Sequence, residues 1–380
     1  MPGDVLMGLG LTACLPRDYA DGVFIGRAEA PDGPHVIVLR NGRILDITQT
    51  ASSVSGAIAR RTFAGGSDLG AIEDGLPEGW SLHSPIDLQC VKACGVTFAV
   101  SAIERVIEER ARGDAAAAAS IRQGLEDTVG AGIRAVVPGS EEAMALKAAL
   151  IAQGMWSQYL EVAIGPDAEV FSKSPVLSTV GHGALIGVRS DSSWNNPEPE
   201  VVLVCDGAGE VVGATLGNDV NLRDFEGRSA LLLSKAKDNT ASCAIGPFIR
   251  LFDEGFGIED VRAAEVELVV EGTDNFRMEG TNRMTEISRD PLELVRQTMS
   301  EHSYPDGFVL FCGTLFAPVQ DRDEPGGGFT HKVGDVVTIR SDRLGALSNT
   351  VTTSRDAPKW TMGIGAFIRN LAARGLVEKI

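Results

Sequence analysis

Between Pro197 and Asp219 the chain reads P-E-P-E-V-V-L-V-C-D-G-A-G-E-V-V-G-A-T-L-G-N-D, and no other stretch limits the fold so tightly. Val201–Cys205 and Val211–Leu216 are two β-rich runs, and Asp206-Gly207 between them reads as a turn, so the unit is a hairpin. Alternate residues of a strand share a face, which puts Glu198 and Glu200 on the same side at the mouth of the first run. The second run ends in Gly217-Asn218-Asp219, which brings a third carboxylate toward the first two; Asp224 is the other acidic residue within reach, and spacing does not choose between them. Carboxylates held this close repel one another and take up protons unless a cation sits among them. With no histidine or cysteine beside them, the donors are hard oxygens, which suits Mg²⁺, Mn²⁺ or Ca²⁺ better than zinc. Lys237 follows within the same unit, and a divalent ion with a positioned lysine is equipment for making an enolate. The plainer alternative is a solvated strand face carrying two surface glutamates. Pro199 between them points to an edge strand or a bulge, since proline donates nothing to a ladder.

The combination of E-x-E, then G-N-D-V-N-L-R-D, then a lysine followed after a short loop by C-A-I-G-P resembles the fumarylacetoacetate hydrolase superfamily. Phe308–Thr314 (F-V-L-F-C-G-T) resembles the strand that borders its site, and Lys332–Val351 its closing hairpin, so the likeness runs from about Leu82 to the last residue. The resemblance implies that Glu198, Glu200 and Asp219 bind Mg²⁺ or Mn²⁺. It implies a catalytic role for Lys237, preferred over Lys235 because its distance to Gly246-Pro247 fits the family spacing. Gly313 and Thr314 are then expected to bind the substrate carboxylate. The superfamily branch that handles 2-keto-3-deoxy sugar acids carries a G-V-T-aromatic segment followed by Ser and Arg, here Gly95-Val96-Thr97-Phe98, Ser101 and Arg105, on a strand and helix that resemble a mobile lid. Ser101 and Arg105 are expected to bind substrate, Glu104 to act as an acid, and Lys173 to lie near the substrate entrance.

The fold implied is mixed α/β, mainly β, with a β-roll catalytic domain and a small N-terminal β domain. The expected divisions are 1–83 (β-rich), 84–160 (strand–helix lid and connector) and 161–380 (catalytic). The activity implied is metal-dependent dehydration of a 2-keto-3-deoxy pentonate, of xylonate or arabinonate type, to 2-oxoglutarate semialdehyde. Acylpyruvate hydrolysis, decarboxylation and isomerisation of a 2-keto acid are the alternatives within the superfamily. Its hydrolases and isomerases place a histidine where this chain has Ser101, and a serine hydroxyl alone does not activate water. Outside the superfamily, a Schiff-base lyase built on Lys237 or a non-catalytic scaffold would also account for single features.

Composition narrows the partners. A net charge of −18 over 380 residues argues against nucleic acid and anionic membrane as partners; the resemblance implies a small-molecule 2-keto sugar acid and a homo-oligomer (dimer or tetramer). The apolar stretch Val5–Leu15 is too short to span a bilayer and lacks a basic flank. Six scattered cysteines, with Cys90 and Cys94 unmatched by a second pair, read as reduced thiols of a cytoplasmic protein.

Along the chain, Gly22–Ala28, His35–Leu39 and Arg43–Ile47 read as strands, with Arg40-Asn41-Gly42 as a tight hairpin turn. Gly8–Gly10 (G-L-G) lacks the strand-to-helix setting of a nucleotide fingerprint. Helices are expected over Ser101–Arg112, with i,i+4 pairing among Glu104, Arg105, Glu108 and Arg112, from Asp114 onward, over Ala143–Gln153, and over Asp290–Gln297 capped by Asp290. Trp156–Ala163, Val170–Lys173 and Val261–Val270 read as β. His182, between two glycines, is expected to be structural. Gln320–Phe329 reads as a flexible loop at the mouth of the site, with His331 beyond it as an outside candidate for proton transfer.

Overall fold

The structure, a computed structural model, describes residues 11–118, 121, 133, 136–318, 320–325 and 327–380. The Gly8–Gly10 motif and the continuation of the Asp114 helix past Ala118 lie outside the described residues. The first strands are β1 (Val23–Ala30), β2 (Gly33–Arg40), β3 (Arg43–Asp46), β4 (Ser67–Ala71), β5 (Ser81–His83) and β6 (Cys90–Gly95). Then come β7 (Glu169–Ser174), β8 (Leu185–Val188), β9 (Asn195–Asn196), β10 (Pro199–Cys205), β11 (Val211–Asp219) and β12 (Asn221–Leu222). The last are β13 (Cys243–Leu251), β14 (Glu265–Glu271), β15 (Arg277–Arg283), β16 (Phe308–Phe311), β17 (Val336–Ser341) and β18 (Gly345–Thr353).

These strands form a mixed, mostly β architecture without a closed barrel. One 11-stranded sheet runs β4-β3-β2-β1-β13-β11-β10-β16-β6-β7, with β5 paired to β1. A five-stranded sheet runs β15-β14-β17-β18-β8, and β9 with β12 makes a short ladder of its own. The β2–β3 turn follows from Asn41-Gly42, which take φ of 51° and 73°, the left-handed pair that a two-residue hairpin of this twist requires. The large sheet passes without a break across residue 83, because β1 pairs antiparallel with β13 (Phe24 opposite Arg250).

The E-x-E strand lies in the middle of that sheet. β10 pairs with β11 on one side and β16 on the other, and all of its residues are buried. Val201, Leu203 and Cys205 enter one apolar cluster with Leu268 and Ile339, while Val202 and Val204 enter the opposite one with Ile25 and Val38. Pro199 therefore marks no edge. It is the first residue of the strand, opposite Asn218, and the β16 ladder begins only at Val202, so no ladder bond is lost. The connection to β11 is a five-residue loop closed by the Asp206 side chain, which accepts from Ala208 N and Glu210 N at 3.0 Å, in place of the two-residue turn expected.

Two segments expected as strands are helical. Trp156–Ala163 contains the helix Gln158–Ile164, started by Ser157, whose hydroxyl accepts from Tyr159 N. Val261 ends up in the helix Ile258–Arg262, and the strand begins only at Glu265. The expected strand-to-helix order is present: β6 leads into the helix Ala99–Ala111, which buries Ala102, Ile103, Val106 and Ile107 against Leu160, Ala163 and Trp194. Its charged residues reach across to other elements, and Arg105–Glu108 is its one internal pair among those described.

Candidate active site

The hairpin register brings the acidic residues together. Asp219 N donates to Glu198 O at 3.1 Å, and Pro199 faces Asn218, so both strand ends deliver carboxylates to one point. Oxygens of Glu198, Glu200 and Asp219 lie within 4.8 Å of one another, and all three residues are buried. Asp224 is elsewhere, accepting from Ser192 Oγ at 2.8 Å and Ser193 N at 2.9 Å. Lys237 reaches Glu198 Oε2 and lies 3.2 Å from Asp219 Oδ2, whereas Lys235 sits by the Phe225 ring. The carboxylates, Lys237, Gly313 and Thr314 line one pocket of about 540 Å³, open mouth included.

Several expected substrate ligands are otherwise engaged. Lys173 does not line the pocket; it is fully buried behind Asp219, 2.7 Å from Oδ1, and donates to the backbone oxygens of Val220 (3.3 Å) and Lys237. It orients a carboxylate instead of guarding an entrance. Gly313 N donates to Glu200 Oε2 at 2.6 Å, and Thr314 Oγ1 accepts from Phe316 N. Ser101 lines the pocket, yet its hydroxyl donates to Phe98 O at 2.8 Å and accepts from Phe98 N at 3.3 Å, as a helix cap does. Glu104 is tied to Arg223 at 3.0 Å. His182 accepts from Ser348 N through Nδ1, and His331 contacts Asp335 at 3.3 Å; neither lines the pocket. The Gln320–Phe329 loop is anchored by the buried Arg322, which pairs with Asp274 at 3.0 Å and Asp335 at 2.6 Å.

Two reciprocal arginine clamps tie the lid helix to the rest. Arg105, from the helix, reaches Glu226 at 2.5 Å, Glu108 at 2.7 Å and Glu198 at 2.9 Å. Arg223, from the G-N-D-V-N-L-R-D segment, reaches back to Glu108 at 2.6 Å and Glu104 at 3.0 Å, donates to Pro318 O and stacks 4.3 Å from the Trp194 ring centroid. Glu108, Glu169, Arg223 and Glu226 are site residues that sequence reasoning missed. Glu169 sits at the start of β7 beside Gly95, and a Cβ on Gly95 would overlap its carboxylate. Glu169 has no hydrogen-bond or ion-pair partner among the described residues, and burial raises its pKa despite the opposing charges of Arg105 and Lys237.

The electrostatic balance is acidic. Seven carboxylates (Glu104, Glu108, Glu169, Glu198, Glu200, Asp219 and Glu226) face four cations (Arg105, Lys173, Arg223 and Lys237). Burial, then the charges of Asp219 and Glu198, push Glu200 well above the carboxylate range. Burial also lifts Glu226 to about 7, against Arg105. Desolvation alone would lower Lys237, but Asp219, Glu198 and Glu226 outweigh it and hold the ammonium protonated, the opposite of a depressed lysine. Cys94 lines the pocket, but burial and then Glu200 keep its thiol protonated. An excess of buried carboxylates with an all-oxygen donor set fits a hard divalent cation.

Fold and pocket together define an open mixed-sheet protein whose lid helix covers a carboxylate-walled site with one lysine at its centre. Residues 165–352 match the family model described as fumarylacetoacetate (FAA) hydrolase C-terminal, and that segment belongs to this family. A protein of Haloferax volcanii named "Probable 2-keto-3-deoxyxylonate dehydratase" is 35% identical over 199 residues, 52% of this chain and 65% of its own. A "2-dehydro-3-deoxy-D-arabinonate dehydratase" of Saccharolobus solfataricus is 32% identical over 187 residues, 49% of this chain and 59% of its own. The chain thus aligns with about three-fifths of the length of these relatives. Among solved structures, a 2-keto-3-deoxy-D-arabinonate dehydratase complexed with magnesium and 2,5-dioxopentanoate shares the fold at TM-score 0.62 and 23% identity, covering 87% of this chain and 98% of that one. Fumarylacetoacetate hydrolase from psychrophilic Exiguobacterium antarcticum does so at TM-score 0.54 and 18% identity, covering 87% and 99%.

Proposed function

We propose that this chain dehydrates a 2-keto-3-deoxy pentonate of xylonate or arabinonate type to 2-oxoglutarate semialdehyde, with Glu198, Glu200 and Asp219 holding Mg²⁺ or Mn²⁺. The observation that carries this is the buried carboxylate triad with Lys237 against two of its members, in a chain whose curated relatives are named for that dehydration. The cation would supply Lewis-acid stabilisation of the enolate of a chelated 2-keto acid. Lys237, kept protonated, donates a hydrogen bond to the oxygen on which that charge develops. Glu169 lines the pocket with no hydrogen-bond or ion-pair partner among the described residues, and its raised pKa suits taking the C3 proton and returning it to the C4 hydroxyl as water leaves. A later proton shift from C5 gives the aldehyde. Glu104, held by Arg223, is a less suitable acid than expected. Ser101 caps its helix where the hydrolases carry a histidine, so water activation has no support there.

Assays of semialdehyde formation from a panel of 2-keto-3-deoxy acids, with and without EDTA, test this directly. Turnover of a pentonate that EDTA abolishes is expected, and no cleavage of acetylpyruvate. Faster cleavage of acetylpyruvate than dehydration of any sugar acid would overturn the reading.

The metal assignment has its own test. Calorimetry should show Mg²⁺ binding lost in Glu200→Ala; unchanged affinity refutes the ligand set. Because Glu200 is held well above the usual range, the ion displaces a proton when it binds, so Mg²⁺ affinity should rise from pH 6 to pH 8. A flat profile would mean that no carboxyl proton is displaced. The same reading places the chain in the reducing cytoplasm, supported by six free thiols, and in a homo-oligomer, to be checked by light scattering. Among the described residues no helix is long and apolar enough to cross a membrane.

A further inference from the structure

We propose that Asn221, with Asn196 beside it, recognises a hydroxyl group on the carbon chain of the substrate, and so decides for hydroxylated 2-oxo acids over plain ones. This rests on the function proposed above and names a residue for its specificity. Asn221 and Asn196 are directly opposed in the β9–β12 ladder, which places their side chains on one face. Both line the pocket and are almost wholly buried, at 1% and 2% exposure. Among the described residues neither Nδ2 nor Oδ1 of Asn221 has a partner, so exchanging the two atoms changes nothing. Asn196 donates from Nδ2 to Pro197 O at 2.9 Å, but its Oδ1 is also unpartnered.

A buried amide with no hydrogen bond is costly, and native proteins resolve such groups with a ligand or an ordered water. The chemistry of the orphan atoms identifies the ligand. A keto oxygen or carboxylate only accepts, and would leave Oδ1 unmet; an ammonium only donates, and would leave Nδ2 unmet. A hydroxyl does both, and matches one donor and one acceptor on the same amide. Three other donors that line the pocket, Arg105, Arg223 and Gly313 N, bind carboxylates of the chain. A site built in this way rejects an analogue that lacks the hydroxyl far more strongly than an apolar wall rejects an added one.

The test measures binding of 2-oxopentanoate, 4-hydroxy-2-oxopentanoate and 5-hydroxy-2-oxopentanoate by calorimetry to the Mg²⁺-loaded protein, before and after Asn221→Leu. One hydroxylated probe should bind at least about tenfold more tightly than 2-oxopentanoate, and Asn221→Leu should remove that advantage while leaving 2-oxopentanoate within about twofold. Which probe loses affinity identifies the carbon whose hydroxyl is read. Asn221→Leu removes an unpaired buried amide, so its melting temperature should stay level or rise, whereas a purely structural asparagine would show a fall. If that variant does not fold, Asn221→Ser, which keeps a donor and an acceptor, should retain part of the preference. Equal affinity for all three probes in the unaltered protein, or an equal loss for all three in the variant, overturns this proposal alone. Failure of the unaltered protein to bind any of the three would instead remove the proposed function beneath it.

Discussion

Arg223→Leu is expected to be the most destabilising single substitution in the site, by about 3–5 kcal/mol, because it takes a buried guanidinium away from two buried carboxylates. Arg223 is 2% exposed and ties together the lid helix through Glu104 and Glu108, the segment after Gly313-Thr314 through Pro318 O, and the Trp194 ring. Glu108 keeps Arg105. Adding Glu104→Leu to Arg223→Leu completes a double-mutant cycle, in which the two losses should not add, because the residues are in contact. Urea unfolding reads the size of the effect, and hydrogen exchange reads its place, which should be the helix Ala99–Ala111 before the central strands. A loss below about 1 kcal/mol, within the range of an exposed pair, would show that the clamp is solvated.

Lys237→Met should have the largest effect on activity. Removing a donor aimed at a developing oxyanion costs roughly 10²–10³ in turnover. The same substitution removes the cation that sits between Glu198 and Asp219, so Mg²⁺ affinity should hold or rise, since the ion no longer competes with an ammonium for those oxygens. Steady-state kinetics and calorimetry on one preparation separate the two effects. Full turnover in Lys237→Met would remove the lysine from the chemistry. A borohydride-stable adduct on Lys237 in the unaltered protein would replace the non-covalent role with a Schiff base.

What could be read from the sequence was local. Glu198 and Glu200 were legible because strand alternation puts them on one face at the mouth of a hairpin, whereas Asp219 over Asp224 and Lys237 over Lys235 came from the family resemblance. Asn41-Gly42 and the Asp290 cap were legible as local signals too. Glu169 and Glu226 were not, because each reads as a surface acid until the helix Ala99–Ala111 packs over it, and Glu108 was not, because it reads as the solvent face of that helix until Arg223 meets it from more than a hundred residues along the chain. Lys173 read as an entrance residue because nothing local signals that β7 turns its side chain inward beneath Asp219. The Gln158–Ile164 helix was missed because Trp156, Tyr159 and Val162 favour strands, while the decisive contacts come from the lid helix. Pro199 misled in the other direction: it ruled out a ladder bond at one residue but did not place the strand at the edge.

The parallel pairing of β6 with β16 has a mechanical meaning. The two strands leave the sheet in the same direction, one into the lid and the other into Gly313-Thr314. Thr97 Oγ1 donates to Cys312 O at 2.7 Å, Ser288 N donates to Thr97 O, and Phe98 bridges to Ile287. The foot of the lid is thus riveted through residue 98, and its fulcrum lies at or beyond the first turn of the helix. Displacement then grows with distance along the lever toward Ala111. The far arm is held by buried charged pairs and by the packing of Ile107 and Ala111, the foot by backbone and hydroxyl bonds, and salt screens buried pairs little. Ionic strength should therefore change little at either end of the helix, whereas removing a clamp residue should loosen the far arm and spare the foot.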